Sequence, residues 1–591
     1  MTTLFDCYHQ TLQTLVDVHA PLKTVRVRAN RTARWYDADC RCTKRQTRKM
    51  ERRYRKYGTT ETRLAWREQF RRQRKLFQMK LKDFWAQAIA SCNGNMKAIW
   101  SKVKALMSPP AAANASPFSA DDCAKHFIEK VAKIRASTVN TPRPVIVPRP
   151  VTSVLSSFQP VAVKEVKDLL AKLPGKHCSL DPAPTWLVKK AAADLAPVLC
   201  LMCNASLQSA KLPASQKHAI VLPRLKKPTL DEADLNSYRP ISNLSFISKL
   251  VERVVAKRYV EHVELNHLFP ARQSAYRHHH SSETAVVSLV NDLIRAVDDG
   301  RVSALVLLDL SSAFDTVDHD CLLTVLHDRF AVTGPALNWF RSYLSERTQT
   351  FIVGGAESPT VSMDCSVPQG SVLGPLEFIS YTDEVSEIFS RHAVNYHLFA
   401  DDKQLSESDK VSDTSAIICR LSACVTDIAT WCASRRLQLN AAKTEIAWFG
   451  SCANLNKISG SDLCLPVGSN VIKPKEVVRD LGVYLDSELS FKQHITKVAN
   501  SCFHHLRRLR QIRRSIDEDV MIQLVVAFVL SRIDYCNSVL AALPRSTIEP
   551  LQRVQNAAAR LVFRLRSHDH ITPALAQLHW LPVPTLPHTL L

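Results

Sequence analysis

The stretch Val302-Ser-Ala-Leu-Val-Leu-Leu-Asp309-Leu310 constrains the fold more than any other part of the chain. A near-continuous apolar run of this length is the pattern of a strand buried on both faces. It ends in an aspartate, and an unpaired carboxylate there is costly unless a metal or a donor compensates it. Ninety-two residues separate it from Asp401, where Val394, Tyr396, Leu398 and Ala400 alternate with other residues ahead of Asp401-Asp402, and Lys403-Gln404-Leu405 follows. That alternation predicts a hairpin with two carboxylates at its tip. Adjacent like charges repel, so the pair calls for a cation or a proton. Taken alone, the tip reads equally well as a solvated turn. Brought beside Asp309, it becomes an oxygen cage for hard divalent ions such as Mg²⁺. Two such ions about 3.5–4 Å apart serve phosphoryl transfer. After Asp309, Ser311 and Ser312 are candidate caps for a helix carrying Ala313, Phe314, Val317 and Leu322 at helical spacing.

Three motifs in order carry a resemblance. Phe399-Ala-Asp-Asp402 resembles the (Tyr/Phe)-x-Asp-Asp box of reverse transcriptases. Asp309-Leu-Ser-Ser-Ala-Phe-Asp-Thr-Val317 resembles their first palm motif, and Ser366-Val-Pro-Gln-Gly-Ser-Val-Leu-Gly-Pro375 the motif between the two. In detail the set is similar to that of non-LTR (LINE-type) retrotransposons, over roughly residues 20–583 and most closely over 217–486. The resemblance implies an α+β, right-hand polymerase fold of fingers, palm and thumb, with a basic helical N-terminal extension. It implies RNA-directed DNA synthesis on an RNA template: a DNA primer's 3′-OH attacks a dNTP, with two Mg²⁺ ions, or Mn²⁺ in their place, held by Asp309, Asp401 and, less directly, Asp402. The competing reading is a polymerase-fold protein that binds RNA or DNA without synthesis.

The same resemblance assigns further residues. Phe314 is placed against the sugar's 2′ carbon, where a ring excludes a ribose hydroxyl; a core phenylalanine is the plainer reading. Asp315 and Asp318 are read as surface or capping carboxylates. Gln369 is the expected contact to nucleotide or template, and Gly370 allows close backbone approach. Gln273-Ser-Ala-Tyr-Arg277 is similar to a fingers motif, which makes Arg277 the first choice for gripping the triphosphate, with Arg239 behind it. In Asn440-Ala-Ala-Lys443 the lysine is placed to protonate the leaving pyrophosphate, although a surface lysine fits nearly as well. Leu481 and Gly482 lie in the expected primer grip. The run His278-His279-His280 points to alternate faces in an extended segment, which disfavours a zinc site. Departures from the family pattern are Ser366, Glu377 in a normally apolar helix, and Thr382-Asp383-Glu384.

Charge sharpens the partner class. The formal net charge of the 591 residues is +23, which favours a polyanion. Between Lys23 and Lys82 there are 22 Lys/Arg against five acidic residues, a net of +17. Interleaved Trp35, Tyr36, Tyr54, Tyr57, Trp66, Phe70, Phe77 and Trp85 suit stacking on bases beside phosphate contacts; a solvated charge run is the alternative. The 17 cysteines show no zinc spacing, and Cys200 is expected as a buried thiol. No signal peptide is evident, and Val520–Leu530, taken as the longest apolar stretch, is too short to span a bilayer. The expectation is an intracellular protein of nucleus and cytoplasm with reduced thiols, no membrane partner and no stated oligomeric state. Four regions are predicted: a basic helical region 1–105, a proline-rich linker and helical extension 106–205, fingers and palm 206–486, and a helical thumb 487–591. Endonuclease residues do not precede the basic region and the family pattern stops after Val583, so the expectation is a truncated element.

Overall fold

The computed structural model describes residues 2–21, 35–92, 98–102, 117–175, 178–227, 229–458, 463–468, 470–514 and 516–585. It divides into two compact units, one of residues 1–22, 115–481 and 487–489, the other of 23–114, 482–486 and 490–591. A unit boundary falls at 114/115, and none falls near 205. The basic segment belongs with the C-terminal helices, and residues 1–22 belong with the first unit.

The first unit carries two main sheets. Their strands are β1 (His218–Leu225), β2 (Tyr238–Asn243), β3 (Val302–Leu308), β4 (Arg347–Val353), β5 (Ala356–Glu357), β6 (Val361–Met363), β7 (Asn395–Phe399), β8 (Asp402–Asp409) and β9 (Glu445–Phe449). One sheet runs β2-β1-β4-β5 with β6 also on β4; the other runs β7-β8-β3-β9. In the second sheet every pairing is antiparallel. Its β3 is interior, as the apolar run requires, with Ala304, Leu305 and Val306 fully buried. Helices Ser282–Asp298 and Thr414–Ser434 pack on it, the latter through Ile417, Leu421, Cys424, Val425, Ile428 and Cys432. Among the described residues, Val411–Ser434 is the one segment long and apolar enough to cross a membrane, and not Val520–Leu530. Its apolar face lies in the core of the unit.

The proline-rich linker is docked rather than free. Arg149 donates through its backbone to the Asp328 carbonyl at 2.9 Å and through its side chain to the Leu268 carbonyl at 2.5 Å and Asp383 at 3.0 Å. Arg329, itself buried, grips Asp383 with Nε and Nη2 at 3.0 Å each, and Glu384 holds Arg435. Two of the departures from the family pattern thus serve as internal counter-charges, and removing one partner would strand a buried charge.

In the second unit, helices Ala38–Tyr57 and Thr60–Ala90 form a hairpin. Gly58, at φ +64°, ends the first, and the Thr59 side chain caps the second. The seam is aromatic: Tyr54 stacks on Trp66 at 5.6 Å, and Trp35 and Tyr36 meet Phe77 edge-on. Lys80 bridges Asp37 at 2.6 Å and Asp39 at 3.0 Å. Rings expected to stack on bases therefore stack on one another. Downstream, Trp100 packs on His505 and Phe528, with Arg508 over its ring.

Candidate active site

Strand register brings the carboxylates together. In the β3–β8 pair Leu308 faces Lys403, so the next step along each strand sets Asp309 beside Asp402. In the β7–β8 pair Phe399 faces Asp402, which leaves Ala400 and Asp401 as the turn. Ala400 adopts φ +56°, a left-handed conformation that costs an alanine energy unless its surroundings hold it. Gln273 provides that hold: its Oε1 accepts from Ala275 N at 2.9 Å and from Ala400 N at 3.4 Å. The neighbouring Ser274 N donates to the Leu398 carbonyl at 2.9 Å, and its hydroxyl bonds His397 Nε2 at 2.8 Å. The sequence reading passed over Gln273 in favour of Arg277, although both lie in the same motif.

Few cations face these acids. Lys443 Nζ lies 2.9 Å from Asp309 Oδ2, and Asn440 Nδ2 lies 3.2 Å from the same oxygen. Asn440 N also donates to the Asp309 carbonyl at 2.9 Å, tying the turn before β9 to the end of β3. Asn440 is a second partner that the sequence reading left unassigned. Burial, then the charges of Asp401 and Asp309, push the Asp402 carboxyl up to about 6. A hollow of about 300 Å³ lies beside them, lined by Asp309, Asp402, Lys443 and Asp480 among others. Asp480 accepts from Gln404 Nε2 at 2.6 Å and is pushed up to about 7 by burial and then by Asp402. Among the described residues no group of three or more His, Cys, Asp or Glu side chains is placed to hold a metal ion. The arrangement is instead a cross-strand carboxylate pair with Asp401 on the turn and a lysine on Asp309.

The remaining predicted residues divide. Phe314 is half-buried and stacks on Phe378 with centroids 4.6 Å apart. The helix expected directly after Asp309 begins later: a 3₁₀ turn spans Ala313–Thr316, and Asp318 caps the helix His319–Asp328. Ser312 stands before that turn at φ +48° and its side chain makes no capping bond. Asp318 is the capping carboxylate foreseen for it and also pairs with Arg135 at 3.1 Å. Asp315 differs, accepting from Gln369 Nε2 at 2.8 Å. Gly370 is needed for a different close approach than expected. At φ +126° a Cβ there would lie 2.4 Å from the Ser242 carbonyl oxygen, and Ser242 N donates to the Gln369 carbonyl at 2.8 Å. The glycine seats this loop on β2.

Arg277 is corrected. Its side chain, 13% exposed, pairs with Glu264 at 3.3 Å and donates to the carbonyls of Pro270 and Gln273 at 3.1 and 3.2 Å. An arginine engaged in this way holds a loop and has no fork left for a phosphate. Arg239 is exposed on β2, opposite Arg224. Burial, then the charges of Lys130, Lys443 and Arg239, push the Lys226 ammonium down. Lys226 and Arg239 therefore share a positive field that reaches Lys443. Leu481 and Gly482 follow the strand Val477–Asp480 with φ +42° and +97°.

Residues 225–485 match the reverse transcriptase (RNA-dependent DNA polymerase) family. The chain is similar to the probable RNA-directed DNA polymerase from transposon BS of Drosophila melanogaster, 29% identical over 60% of this chain and 39% of that protein. It is also similar to the RNA-directed DNA polymerase from mobile element jockey of Drosophila melanogaster, 28% identical over 57% of this chain and 36% of that protein. The chain thus spans about two fifths of the length of the curated relatives it matches. A truncated apo telomerase from Candida tropicalis is similar at 11% identity and TM-score 0.33, over 46% of this chain and 54% of that one. Residues 225–485 thus carry the match to the reverse transcriptase family, and the similar proteins are named as RNA-directed DNA polymerases of mobile elements.

Proposed function

We propose that the chain is an RNA-directed DNA polymerase, extending a primer 3′-OH with deoxynucleotides on an RNA template. The observation that carries this is the register that sets Asp309 beside Asp402, with Asp401 on the adjoining turn. In this reading the β7-β8-β3-β9 sheet is the palm, the β2-β1-β4-β5 sheet lies in the fingers, and the C-terminal helices are the thumb. Burial, then the charges of Asp401 and Asp309, raise the pKa of Asp402, and carboxylates crowded in this way are a donor set suited to hard cations. Asp309, Asp401 and, less directly, Asp402 would hold two Mg²⁺ ions, and Mn²⁺ has the same ligand preference. Such ions, when bound, lower the barrier to in-line phosphoryl transfer by stabilising charge on the attacking and leaving oxygens.

The chain's own residues supply placement. Gln273 and Asn440 fix the backbone that carries the acids. Asp315 orients the Gln369 amide beside the nucleotide. Arg239 and Lys226 meet the triphosphate, a role better suited to exposed cations than to Arg277. Phe314 blocks a 2′-hydroxyl, supported from behind by Phe378. Lys443, now on Asp309, is near enough to deliver a proton to a leaving group.

One observation favours a second reading, a nucleic-acid-binding relative that no longer synthesises. Glu377 is fully buried and neither of its carboxyl oxygens has a hydrogen-bond partner among the described residues. Incorporation of dTTP on oligo(dT)-primed poly(rA) separates the two. Synthesis by the wild type and none by Asp401→Ala is the expected result. No synthesis by a folded wild type would leave the binding role.

A further inference from the structure

In the second unit, helices Lys492–Ile512 and Arg545–Phe563 pack along each other. At their C-terminal ends lies a hollow of about 480 Å³ lined by Arg510, Arg513, Arg514, Arg560 and Arg564, with no Asp or Glu in its wall. Three of these arginines have a structural task. Arg513, 8% exposed, donates to the carbonyls of Leu561 at 2.9 Å, Val562 at 2.5 Å and Ile516 at 3.2 Å. Arg564 donates to the Arg513 carbonyl at 3.3 Å, and Arg560 to the Asp569 carbonyl at 3.5 Å. Guanidiniums near helix C-termini complement the last carbonyls.

That task does not account for the rest. Arg510 and Arg514 are exposed and have no partner among the described residues. Arg560 Nε is buried without an acceptor among the same residues. Carbonyl partners also leave each positive charge in place, and like charges around one hollow repel. The acids whose field reaches Arg513 are Glu518 and Asp517, while Arg564 acts against it. Asp517 already caps the next helix through Val520 N at 2.9 Å. The counter-charge this hollow needs is not in its own wall.

We propose that the hollow is a phosphate-cluster site, which takes a compact polyanion carrying two or three linked phosphates. Guanidinium forks match phosphate oxygens in pairs. Surfaces that follow a nucleic-acid backbone spread their cations along a groove, whereas here the exposed Arg510 and Arg514 line one concavity with Arg560, whose buried Nε has no acceptor among the described residues. The site uses none of the carboxylates of the first unit and stands independently of the polymerase reading. Two sources supply this chemistry: the 5′-triphosphate end of an RNA, and a free polyphosphate.

Calorimetric titration of the full chain with sodium tripolyphosphate in EDTA tests it, the chelator removing any divalent bridge to the carboxylates. The Arg510→Gln/Arg514→Gln pair is expected to bind about tenfold more weakly than wild type or worse, and Arg239→Gln to lose less affinity than that pair. In wild type alone, tripolyphosphate raises the melting temperature more than orthophosphate does. No binding by wild type, or equal binding by wild type and the double variant, overturns the site. So does loss of binding in Arg239→Gln with retention in the double variant. One oligoribonucleotide with a 5′-triphosphate or a 5′-hydroxyl then separates the sources. A triphosphate preference that the double variant loses assigns RNA ends; equal binding of the two, beside retained tripolyphosphate binding, assigns the free anion.

Discussion

The carboxylate sheet of the first unit and the basic helical hairpin of the second are both dense in charge, yet they manage it in opposite ways. On the sheet, backbone register fixes Asp309 beside Asp402, and repulsion between like charges is held in place by strand pairing. On the hairpin, aromatic rings close the seam and the arginines are left to solvent, with i,i+4 pairs such as Arg55–Glu51 and Arg72–Glu68. Exposed pairs of that kind contribute little to stability. The difference teaches where substitutions should act. Charge changes on the sheet should alter chemistry and leave folding intact, whereas on the hairpin the rings carry stability and single charges can be exchanged.

The largest effect is expected at Asp309. Asp309→Asn should reduce primer extension by about 10³-fold or more with little change in melting temperature. A variant retaining a tenth of wild-type activity would break the comparison, because the register would then carry no chemistry. Next comes Gly370→Ala, where a Cβ meets the Ser242 oxygen at 2.4 Å and the φ is +126°. Denaturant unfolding should show a loss of about 3 kcal/mol, with the dNTP KM raised through Gln369. An unchanged stability would mean that the loop does not rest on β2.

A smaller, pH-dependent effect is expected at Glu377. Burial, then the charge of Glu252, pushes its carboxyl up to about 8 from the ordinary 4.5, while Arg347 acts in the other direction. A folded-state pKa above the unfolded one gives stability that is complete below about 4.5 and lost as pH rises through about 8. Melting temperature should therefore fall across that window in wild type and stay flatter in Glu377→Gln; parallel curves would refute the buried acid. Smallest is Tyr54→Ala, which removes the stack on Trp66 and should cost about 1.5 kcal/mol. Single-nucleotide incorporation should not change, and a large loss of activity there would erase the contrast between the two regions.

Much of the site was legible because its acids end apolar segments whose period declares a strand. Asp309 closes a run buried on both faces, and Asp401 and Asp402 follow an alternating one. The supports were not legible. Gln273 and Asn440 act on backbone atoms far away in sequence, and an uncharged polar residue announces no partner. Arg277 was misjudged because a guanidinium fork suits Glu264 and two carbonyls as well as it suits a phosphate. Gly370 showed its need for space but not that the Ser242 carbonyl fills it. Of the rings between Trp35 and Phe77, several pack on one another, since helical spacing does not say whether a stripe faces a base or another helix.

The contact of Trp100 with His505 and Phe528 has a bearing on how the chain is made. About four hundred residues separate the two sides of that contact, and synthesis runs from the N-terminus at roughly 5–20 residues per second. The segment around Trp100 therefore emerges early and waits on the order of half a minute for His505 and Phe528. Throughout that interval its indole is without the two rings that cover it in the finished fold.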